Sequence, residues 1–508
     1  MRIATAARMR ELDRQAVETG VISSLELMEH AAEALAEKAM EYLGRQPVPR
    51  AVVFCGPGKN GGDGVAAARL LRQTGVEVRA VMVGDRDRMT PECRAMEACL
   101  AEEGLRLEPF SDADPGFAAW ALEAGVFLDA LLGIGLTREV TGDFATAVHM
   151  MNSAGVPVLS ADIPSGVEAD TGRILGAAVR ADATVTFTCP QAGHFVGKGQ
   201  LCTGSLSVVQ IGIPPALLDA LEWDTWSVAP EDVHLPHRER DAHKGSFGRV
   251  CILGGSVGFS GAPVLAARAA VRTGAGLVTL EVPAPIWPVA AQKLDVAMPY
   301  PLPAGKDGAL ALDATEQALN RLAASDVALI GPGLSRANGA GAVVRYVLAH
   351  TERPVVLDAD GINALEGHID VLDARQGIAT VLTPHDGEFA RLGGELSGGD
   401  RLGAARAFAA AHGCVLVLKG HCTITTFPDG LAYLNTTGNP GMAKGGSGDI
   451  LAGMIVSLMA QGLTIRQAVP AAVCLHGQAG DLAAEEFGEY GMSPSDLIQK
   501  IPLTTKRF

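Results

Sequence analysis

Residues 51–75 read AVVFCGPGKNGGDGVAAARLLRQTG. Five apolar residues come first, a loop with five glycines in nine positions follows, and an alanine-rich helical pattern completes the segment. This order predicts a buried strand, a Gly-rich loop and a helix, the unit from which parallel sheets covered by helices are built. Glycines let the backbone approach a phosphate closely, and the N-terminus of the following helix offers free N–H donors. A tight turn that needs positive φ angles is the structural alternative.

The composition supports the same class of fold and excludes several others. The chain has 508 residues, of which 61 are glycine and only 5% are aromatic, so its cores must be packed from small aliphatic side chains. Collagen and coiled coils are excluded because no Gly-X-Y period and no sustained heptad is present. A formal net charge of −16 disfavours nucleic-acid binding. Nine cysteines without a CxxC pair fit free thiols in the cytoplasm, and neither a signal peptide nor a membrane span is expected.

Two long stretches alternate short apolar runs with helical patterns, and they predict two α/β domains rather than the roughly three that length alone suggests. The proline-rich segment 214–242 places one domain at residues 1–220 and the other at 230–508. Ser23 and Glu26 form a capping-box pattern before a long helix. A hairpin is predicted at 423–427 and 431–434. The other strands are predicted at 51–55, 78–83, 126–128, 156–160, 184–188, 206–211, 250–253, 277–282, 327–330, 355–357, 379–382 and 415–418.

Polar residues follow several strands of the first domain at the point where each strand ends. Asp129 comes before one glycine loop, and Asp162 and Ser165 come after the next strand. Since the carboxyl ends of parallel strands meet at one edge of a sheet, these residues and the loop that contains Asn60 are expected to form a site. The oxygens of Asn60, Asp129 and Ser165 would suit a hard cation. Each residue taken singly also fits a cap or a turn.

Four motifs of the first domain resemble the epimerase domain of the bifunctional NAD(P)H-hydrate repair enzymes, which has a Rossmann-like three-layer fold. The motifs are GPGKNGGDG at 56–64, DALLGIGL at 129–136, SADIPSGVEADTG at 160–172 and CPQAGHFVGKGQLCTGSLSVVQIGIP at 189–214. The resemblance implies a potassium ion at Asn60, Asp129 and Ser165. Many members have Asn where this chain has Lys59. The implied substrate contacts are Lys59, Asn60, Gly61, Gly62, Asp63, Gly133, Ile134, Gly135, Leu136, Thr137, Arg138, Glu139 and Asp162.

The epimerase chemistry requires inversion at C6 of a hydrated dihydronicotinamide. Either the C6 oxygen leaves and returns, or the ring opens and closes, and each route needs proton transfers. Asp162 is the predicted main acid–base residue, and Lys198 in HFVGKG is the predicted weaker partner. A solvated loop lysine is the alternative for Lys198.

The second domain contains an anion-binding pattern late in its sequence. Residues 439–449 read NPGMAKGGSGD and precede a helical apolar pattern, which puts Gly446, Ser447 and Gly448 at a helix N-terminus. Asp449 falls in the first turn, where an aspartate either complements the helix dipole or serves as a base. A strand ends near Lys419, which makes Lys419 to Thr423 a candidate nucleotide loop. His385 lies at another strand end, where a structural role is the alternative.

This domain has the pattern of ribokinase-like kinases, and its strings HKGSFGRV, IGPGL, DADGINAL, LTPHDGEFARL and NTTGNPGMAKGGSGDILAGMI are similar to NAD(P)H-hydrate dehydratases. The expected fold is a ribokinase-like three-layer α/β domain. The resemblance implies hydrate contacts at Gly333, His385 and Asp449, with Asp449 as the base that lets the C6 hydroxyl be phosphorylated. The implied adenine-nucleotide contacts are Lys419, Gly420, His421, Cys422, Thr423, Asn439, Gly441, Lys444, Gly445, Gly446, Ser447 and Gly448.

The two resemblances together predict a nicotinamide nucleotide repair enzyme. It would epimerise the hydrates NADHX and NADPHX and dehydrate the S form, with ADP as phosphoryl donor and Mg²⁺, giving AMP and phosphate. Relatives imply a homo-oligomer, a tetramer or larger. One alternative is a ribokinase-like kinase of a vitamin precursor with an N-terminal nucleotide-binding module. Another is a first domain that senses nucleotides or binds a protein without catalysis.

Overall fold

The computed structural model describes residues 1–44 and 48–506, and the chain divides into two compact units. The N-terminal unit comprises Arg2–Trp223 with Gly399–Arg401, and the C-terminal unit comprises Met1, Asp224–Gly398 and Leu402–Phe508. The boundary between Trp223 and Asp224 lies inside the proline-rich segment 214–242. Among the described residues, no helix has both the length and the apolar character needed to cross a membrane.

The N-terminal unit is built on a seven-stranded parallel sheet in the order β3-β2-β1-β4-β5-β6-β7. The strands are β1 (Arg50–Cys55), β2 (Glu77–Met82), β3 (Leu107–Pro109), β4 (Val126–Ala130), β5 (Val158–Ala161), β6 (Ala183–Phe187) and β7 (Ser205–Val209). The helices are α1 (Ala6–Glu18), α2 (Ser24–Leu43), α3 (Lys59–Gln73), α4 (Pro91–Glu102), α5 (Pro115–Ala121), α6 (Gly142–Ser153), α7 (Gln200–Thr203) and α8 (Pro215–Asp219). The strand order reverses between β1 and β4, so the loops after these two strands flank the crevice in which open α/β sheets bind ligands.

Helices cover both faces of this sheet, which gives the expected three layers. Two separate apolar cores lie on the two faces, one containing Leu35 of α2 and Leu71 of α3, the other containing Val148 and Met151 of α6. The predicted capping box is confirmed: the Ser23 hydroxyl accepts from the Glu26 N–H, and the Glu26 carboxylate accepts from the Ser23 N–H.

The C-terminal unit is built on a ten-stranded sheet in the order β11-β10-β9-β12-β13-β14-β15-β16-β17-β8. The strands are β8 (Thr225–Trp226), β9 (Arg249–Leu253), β10 (Leu277–Pro283), β11 (Met298–Leu302), β12 (Val327–Ile330), β13 (Val355–Leu357), β14 (Thr380–Leu382), β15 (Val415–Leu418), β16 (Ile424–Thr426) and β17 (Ala432–Leu434). The strands from β11 to β15 are parallel, and the predicted hairpin is confirmed as β16 and β17.

Eleven helices are described for this unit. They are α9 (Gly261–Thr273), α10 (Trp287–Lys293), α11 (Thr315–Ala323), α12 (Asn338–His350), α13 (Asp360–Asn363), α14 (Asp370–Asp373), α15 (Asp386–Arg391), α16 (Arg401–His412), α17 (Ser447–Ala460), α18 (Ile465–Gly491) and α19 (Pro494–Thr504). Helix α17 is buried along almost its entire length, which is why its apolar residues occur on all sides.

Gly331, directly after β12, is required by a close approach of two strand ends. Its φ is +134°, and a Cβ there would lie 1.7 Å from the Asp358 carbonyl oxygen after β13. The Asp358 carbonyl oxygen has little room to move away from such a Cβ, because it belongs to the backbone.

We therefore expect Gly331→Ala to destabilise the C-terminal unit by about 2–3 kcal/mol through overpacking and strain. That loss corresponds to a fall of roughly 5 °C or more in the melting temperature of a unit of this size. Gly261→Ala is the matched control, because a Cβ at Gly261 meets nothing within 4 Å. Calorimetry showing equal melting temperatures for the two variants would contradict the expectation.

Candidate active sites

A cavity of about 900 Å³ opens at the carboxyl ends of the strands in the N-terminal unit. Its lining includes these sequence-predicted residues: Lys59, Asn60, Asp63, Gly133, Ile134, Gly135, Leu136, Thr137, Arg138 and Asp162. Glu139 is exposed and is not part of the lining. Gly61 and Gly62 also lie outside the lining, and a Cβ on them would meet the Gly56 carbonyl and the Met28 side chain. These two glycines thus allow α3 to pack closely.

Asp162 is held in an unusual backbone conformation at the cavity wall. Its φ is +63°, a region that aspartate and asparagine tolerate better than other side chains. The carboxylate accepts a hydrogen bond from the Ile134 N–H at 3.3 Å and a long one from the Thr186 hydroxyl at 3.4 Å. Burial raises the pKa of Asp162 to about 6. A carboxylate with such a pKa is ionised at neutral pH yet basic enough to take a proton.

Two further carboxylates face the same cavity, Asp63 on α3 and Asp13 on α1. Burial raises the pKa of Asp63 well above its ordinary value, and the negative charges of Asp162 and Asp13 add to the effect. Burial also raises the pKa of Asp13, against the lowering influence of Lys59. Sequence reasoning missed Asp13, since it lies among charged residues on an amphipathic helix and resembles a solvent-facing position.

Asp129 and Ser165 meet below the cavity, as their places at strand ends predict. Asp129 is fully buried, and its carboxylate accepts hydrogen bonds from the Ser165 hydroxyl (2.6 Å), the Ser165 N–H (2.9 Å) and the Ser160 hydroxyl (2.8 Å). Burial raises the pKa of Asp129, and these hydrogen bonds oppose the rise. Asn60 is buried with both atoms of its amide unpartnered among the described residues.

Lys198 does not belong to this cavity. Its side chain is exposed, whereas Phe195 and Val196 before it are buried. The loop therefore turns its apolar part inward and leaves the lysine on the surface, away from the residues that line the cavity with Asp162.

The site in the C-terminal unit is centred on the N-terminus of α17. Gly446 precedes the helix with φ +108°, and no side chain of the described chain caps it. The Ser447 hydroxyl is buried without a hydrogen-bond partner among the described residues. A helix start with uncapped N–H groups and an unused hydroxyl is suited to an anion.

Asp449 lies beside the buried ammonium group of Lys419. The Lys419 Nζ donates to the Asp358 carboxylate at 2.9 Å and lies 3.8 Å from the Glu388 carboxylate. A Cβ on Gly448 would be 3.2 Å from this Nζ, so the glycine allows the lysine to reach the helix start. Burial and the charge of Asp358 raise the pKa of Asp449 to about 7, although Lys419 opposes the rise.

The other predicted residues of this unit have mixed surroundings. His385 caps α15, because its Nδ1 accepts from the Gly387 and Glu388 N–H groups. Asn439 caps a short turn and donates to Asp481. The Lys444 ammonium donates to the Tyr490 and Met492 carbonyls. In the remaining set, Gly333 and Gly441 are packed tightly, and Ser447 and Gly448 begin α17. Cys422 is buried, Thr423 is half-buried, and Gly420, His421 and Gly445 are exposed.

Asp358 and Asp360 follow β13, where oxygens for a metal could be sought. Asp358 is occupied by Lys419 and by the Thr383 hydroxyl at 2.7 Å, and Asp360 accepts from the Ser335 N–H. In the part of the chain that the structure describes, no group of three or more His, Cys, Asp or Glu side chains is placed to hold a metal ion.

His476 on α18 is a buried residue of this region that sequence reasoning did not find. Its Nε2 has no hydrogen-bond partner within the described residues, and burial lowers its pKa to about 4. The imidazole is therefore neutral at pH 7. It occurs 27 residues after Asp449 in a featureless helical stretch, so no local pattern marks it.

Two family models match the chain. The one described as NAD(P)H-hydrate dehydratase matches residues 250–503, and the one described as YjeF-related protein N-terminus matches residues 24–193. The bifunctional NAD(P)H-hydrate repair enzyme of Moorella thermoacetica is 40% identical over 99% of this chain and 96% of its own length. The bifunctional NAD(P)H-hydrate repair enzyme of Salinibacter ruber is 38% identical over 100% of this chain and 96% of its own length.

Solved structures resemble the C-terminal part. The ADP/ATP-dependent NAD(P)H-hydrate dehydratase of Bacillus subtilis, co-crystallised with ATP and Mg²⁺, is 32% identical, with a TM-score of 0.48, over 56% of this chain and 98% of that chain.

The buried charge of Asp162 leads to a prediction about stability. Asp162→Asn keeps a side chain that tolerates positive φ and removes a charge whose folded-state pKa, about 6, lies above the unfolded value. The free energy of unfolding of the wild type therefore falls as the pH rises toward 6, and the variant does not undergo this loss because its side chain cannot ionise. We expect its N-terminal unit to melt about 2–4 °C higher than wild type at pH 8, with a smaller gain at pH 5. A calorimetric gain that is absent, or equal at both pH values, would be inconsistent with this account. Asp162→Ala should instead lower the melting temperature.

Proposed function

The chain belongs to the family of bifunctional NAD(P)H-hydrate repair enzymes, and from this premise we propose how its two sites divide the work. The enzyme epimerises hydrated NADH and NADPH and dehydrates the hydrate back to the reduced nucleotide. We assign epimerisation to the cavity of the N-terminal unit and dehydration of the S form to the start of α17. The observation that carries this assignment is the presence of one basic carboxylate in each place, Asp162 and Asp449.

In the N-terminal cavity, Asp162 exchanges the protons that inversion at C6 requires. In the ring-opening route it takes the proton of the C6 hydroxyl while the C6–N1 bond breaks, and it returns the proton when N1 closes on the other face. In the alternative route it takes a proton from the water that adds again at C6. The first turn of α3, at residues 59–63, and the loop at 133–139 would hold the nucleotide, through Lys59 and the backbone of that loop. Lys198 stays a prediction as a weaker partner, with its exposed position against it.

A potassium ion fits the residues beneath this cavity. Asn60 offers an unpartnered buried amide oxygen, Asp129 a buried carboxylate, and Ser165 a hydroxyl oxygen. One carboxylate with neutral oxygens is a suitable donor set for a hard cation. When bound, the ion would supply positive charge next to Asp129. Asn60 would then fix the first turn of α3, which carries Lys59 and Asp63 toward the substrate.

In the C-terminal site, Asp449 takes the proton of the C6 hydroxyl as its oxygen attacks the terminal phosphorus of the nucleotide. With ADP as donor, the bond to the β-phosphorus breaks and AMP leaves. The first turn of α17, with Gly446, Ser447 and Gly448, holds the transferring phosphoryl oxygens. The N1 lone pair then expels phosphate from C6, and loss of a C5 proton restores the double bond.

The adenine nucleotide would lie against residues of two loops. The proposed contacts are Lys419, Gly420, His421, Cys422, Thr423, Asn439, Gly441, Lys444 and Gly445, with Gly333 and His385 toward the hydrate. Lys444 would have to exchange its carbonyl partners for phosphate oxygens. Mg²⁺ neutralises charge on the nucleotide phosphates when bound. Because Asp358 is committed to Lys419, it is better suited to holding that lysine than to holding the metal.

A vitamin-precursor kinase explains only the C-terminal unit, and a non-catalytic first domain does not explain the buried carboxylates around its cavity. None of the nine cysteines forms a disulfide bond within the described residues, which favours a reducing compartment such as the cytoplasm. A homo-oligomer, a tetramer or larger, stays a prediction.

Separate variants should separate the two activities. With purified R and S hydrates and ADP, we expect Asp449→Asn to lower the dehydration rate about 100-fold or more while R and S still interconvert. Asp162→Asn should instead lower the rate at which R and S interconvert by about 100-fold or more, while dehydration of the S hydrate continues. Wild-type dehydration should fall as pH drops through about 7, since the basic form of Asp449 is lost there. Recovery of reduced-nicotinamide absorbance and chromatography of the epimers provide the readouts.

Ser397→Ala, on an exposed loop away from both sites, is the control and should keep both rates. If Asp449→Asn dehydrates the S hydrate at the wild-type rate, the assignment of the base fails. If dehydration proceeds with ATP and not with ADP, the proposed donor is wrong.

The potassium proposal has a readout that does not involve activity. A ligand that binds only the folded state stabilises it by mass action. We expect the N-terminal unit to melt about 2 °C or more higher in KCl than in choline chloride of equal ionic strength. Asn60→Ala should remove the difference, and Gln73→Ala, exposed on the same helix, should keep it. An equal melting temperature of the wild type in both salts would refute the site.

A further inference from the structure

Helix α1 forms one wall of the N-terminal cavity, although it lies outside the matched family-model segment 24–193. Ala4 and Ala6 at its start fix it, because the Ala4 N–H donates to the Pro190 carbonyl and the Ala6 N–H to the Asp170 carboxylate. Its buried face, which includes Leu12 and Ala16, packs into the core of the unit. The wall is therefore a fixed part of the fold.

Asp13 is the carboxylate that this wall presents to the cavity. It is half-buried, and none of residues 1–44 and 48–506 gives its carboxylate a hydrogen bond or an ion pair within 4 Å. The neighbouring Arg14, by contrast, forms ion pairs with Glu11 and Glu18 on the same helix. A half-buried carboxyl group that the protein leaves unpartnered at a cavity surface is available to a ligand.

We propose that Asp13 is a catalytic residue of epimerisation, acting as the proton-transfer partner of Asp162. The inference rests on the proposed function of this cavity. Inversion at C6 requires two groups at once, one that accepts a proton and one that donates it. Asp162 approaches from the loop after β5 and Asp13 from α1, so the two reach the substrate from different elements, whereas Lys198 stays outside.

The ring-opening step balances with this pair. Ionised Asp162 takes the proton of the C6 hydroxyl, C6=O forms, and the electrons of the C6–N1 bond pass to N1. Protonated Asp13 gives its proton to N1. After rotation about C5–C6, N1 attacks the other face of the carbonyl, Asp13 takes the N1 proton back, and Asp162 returns its proton to the oxygen. Loss of the C6 oxygen as water would need the same acid and base.

The charges around Asp13 fit the role of the acid. Asp63 and Asp162 are negative neighbours that favour a proton on the cluster, and Lys59 is the opposing cation. Burial raises the pKa of Asp13, which favours the protonated form. Carboxyl groups that share one site cannot all be ionised at little cost, which favours keeping a proton within the cluster.

The test compares Asp13→Asn and Asp13→Glu with Glu11→Gln, which makes the same chemical change on α1 outside the cavity lining. R-to-S exchange is followed by chromatography to obtain kcat and KM, and dehydration of the S hydrate serves as an internal activity. We expect Asp13→Asn to lower kcat for exchange about 100-fold with KM within about threefold, and to leave dehydration unchanged. Asp13→Glu should recover at least about tenfold of the loss, and Glu11→Gln should behave as wild type.

Several outcomes would overturn the inference: a kcat within about threefold of wild type in Asp13→Asn, a loss confined to KM, or no recovery in Asp13→Glu. If Asp13→Asn lowers the melting temperature by more than about 5 °C, the exchange rate of Asp13→Glu is compared with that of the wild type instead. Glutamate is longer but retains the proton donor, so recovery in this variant supports the inference and its absence overturns it. Failure of the proposed function looks different: wild type would not interconvert R and S at all, or Asp162→Asn would keep full exchange.

Discussion

Both sites of this enzyme depend on removing a carboxylate from water where parallel strands end. Desolvation disfavours the charged form of Asp162 and of Asp449 and raises their pKa values to about 6 and about 7, the range that suits the proton transfers proposed for them. The cost of such burial is several kcal/mol in an unpaired case, and the large aliphatic cores packed against the two sheets offset it. The packed sheets thus hold the carboxylates of Asp162 and Asp449 in buried positions, although hydration would favour their exposure to water.

The two sites limit this cost by different means. The C-terminal site places a buried cation among its acids: burial opposes the charge of Lys419, but Asp358, Glu388 and Asp449 together raise the pKa of its ammonium group. The N-terminal cavity gathers acids beside a largely exposed lysine, Lys59, and its Asp162 carboxylate instead accepts hydrogen bonds from the Ile134 N–H and the Thr186 hydroxyl. Group transfer from a polyanion benefits from a fixed positive charge, whereas reversible proton exchange benefits from several acids of similar strength.

The alternation of strands and helices could be read from the sequence because buried parallel strands are short apolar runs and amphipathic helices repeat every three to four residues. The predicted strands of both sheet centres are confirmed to within one or two residues at most ends. The strands that were missed lie at edges or are very short. β11 contains two prolines and is mostly exposed, β3 has three residues, and β8 has two within the proline-rich segment. Their pairing is set by neighbours distant in sequence.

The site residues also divide into those that a local sequence pattern marks and those that are brought together by residues distant in sequence. Residues within glycine-rich strings were recognised because loop, charge and helix start are adjacent in the chain, and Asn60, Asp63 and Asp162 do face one cavity. Asp13 and His476 come from helices far away in sequence. Lys198 lies in a loop that carries a family string, but its side chain is exposed and outside the cavity lining, and its role stays a prediction. Only the packing of whole elements decides which of these side chains meet.

The wall formed by α1 has a consequence for how this chain can be divided into modules. A fragment that starts at residue 24, where the family model begins to match, would retain every strand of the first sheet and the loops after β1, β4 and β5. It would nevertheless lose the residues of α1 that line the cavity, such as Met9 and Asp13. It would also uncover the part of the apolar core against which Leu12 and Ala16 pack, so the border of the matched segment is the border of neither the folded unit nor the site. Fusions, truncations and domain exchanges made at residue 24 would therefore leave an exposed core surface together with an open and incomplete pocket.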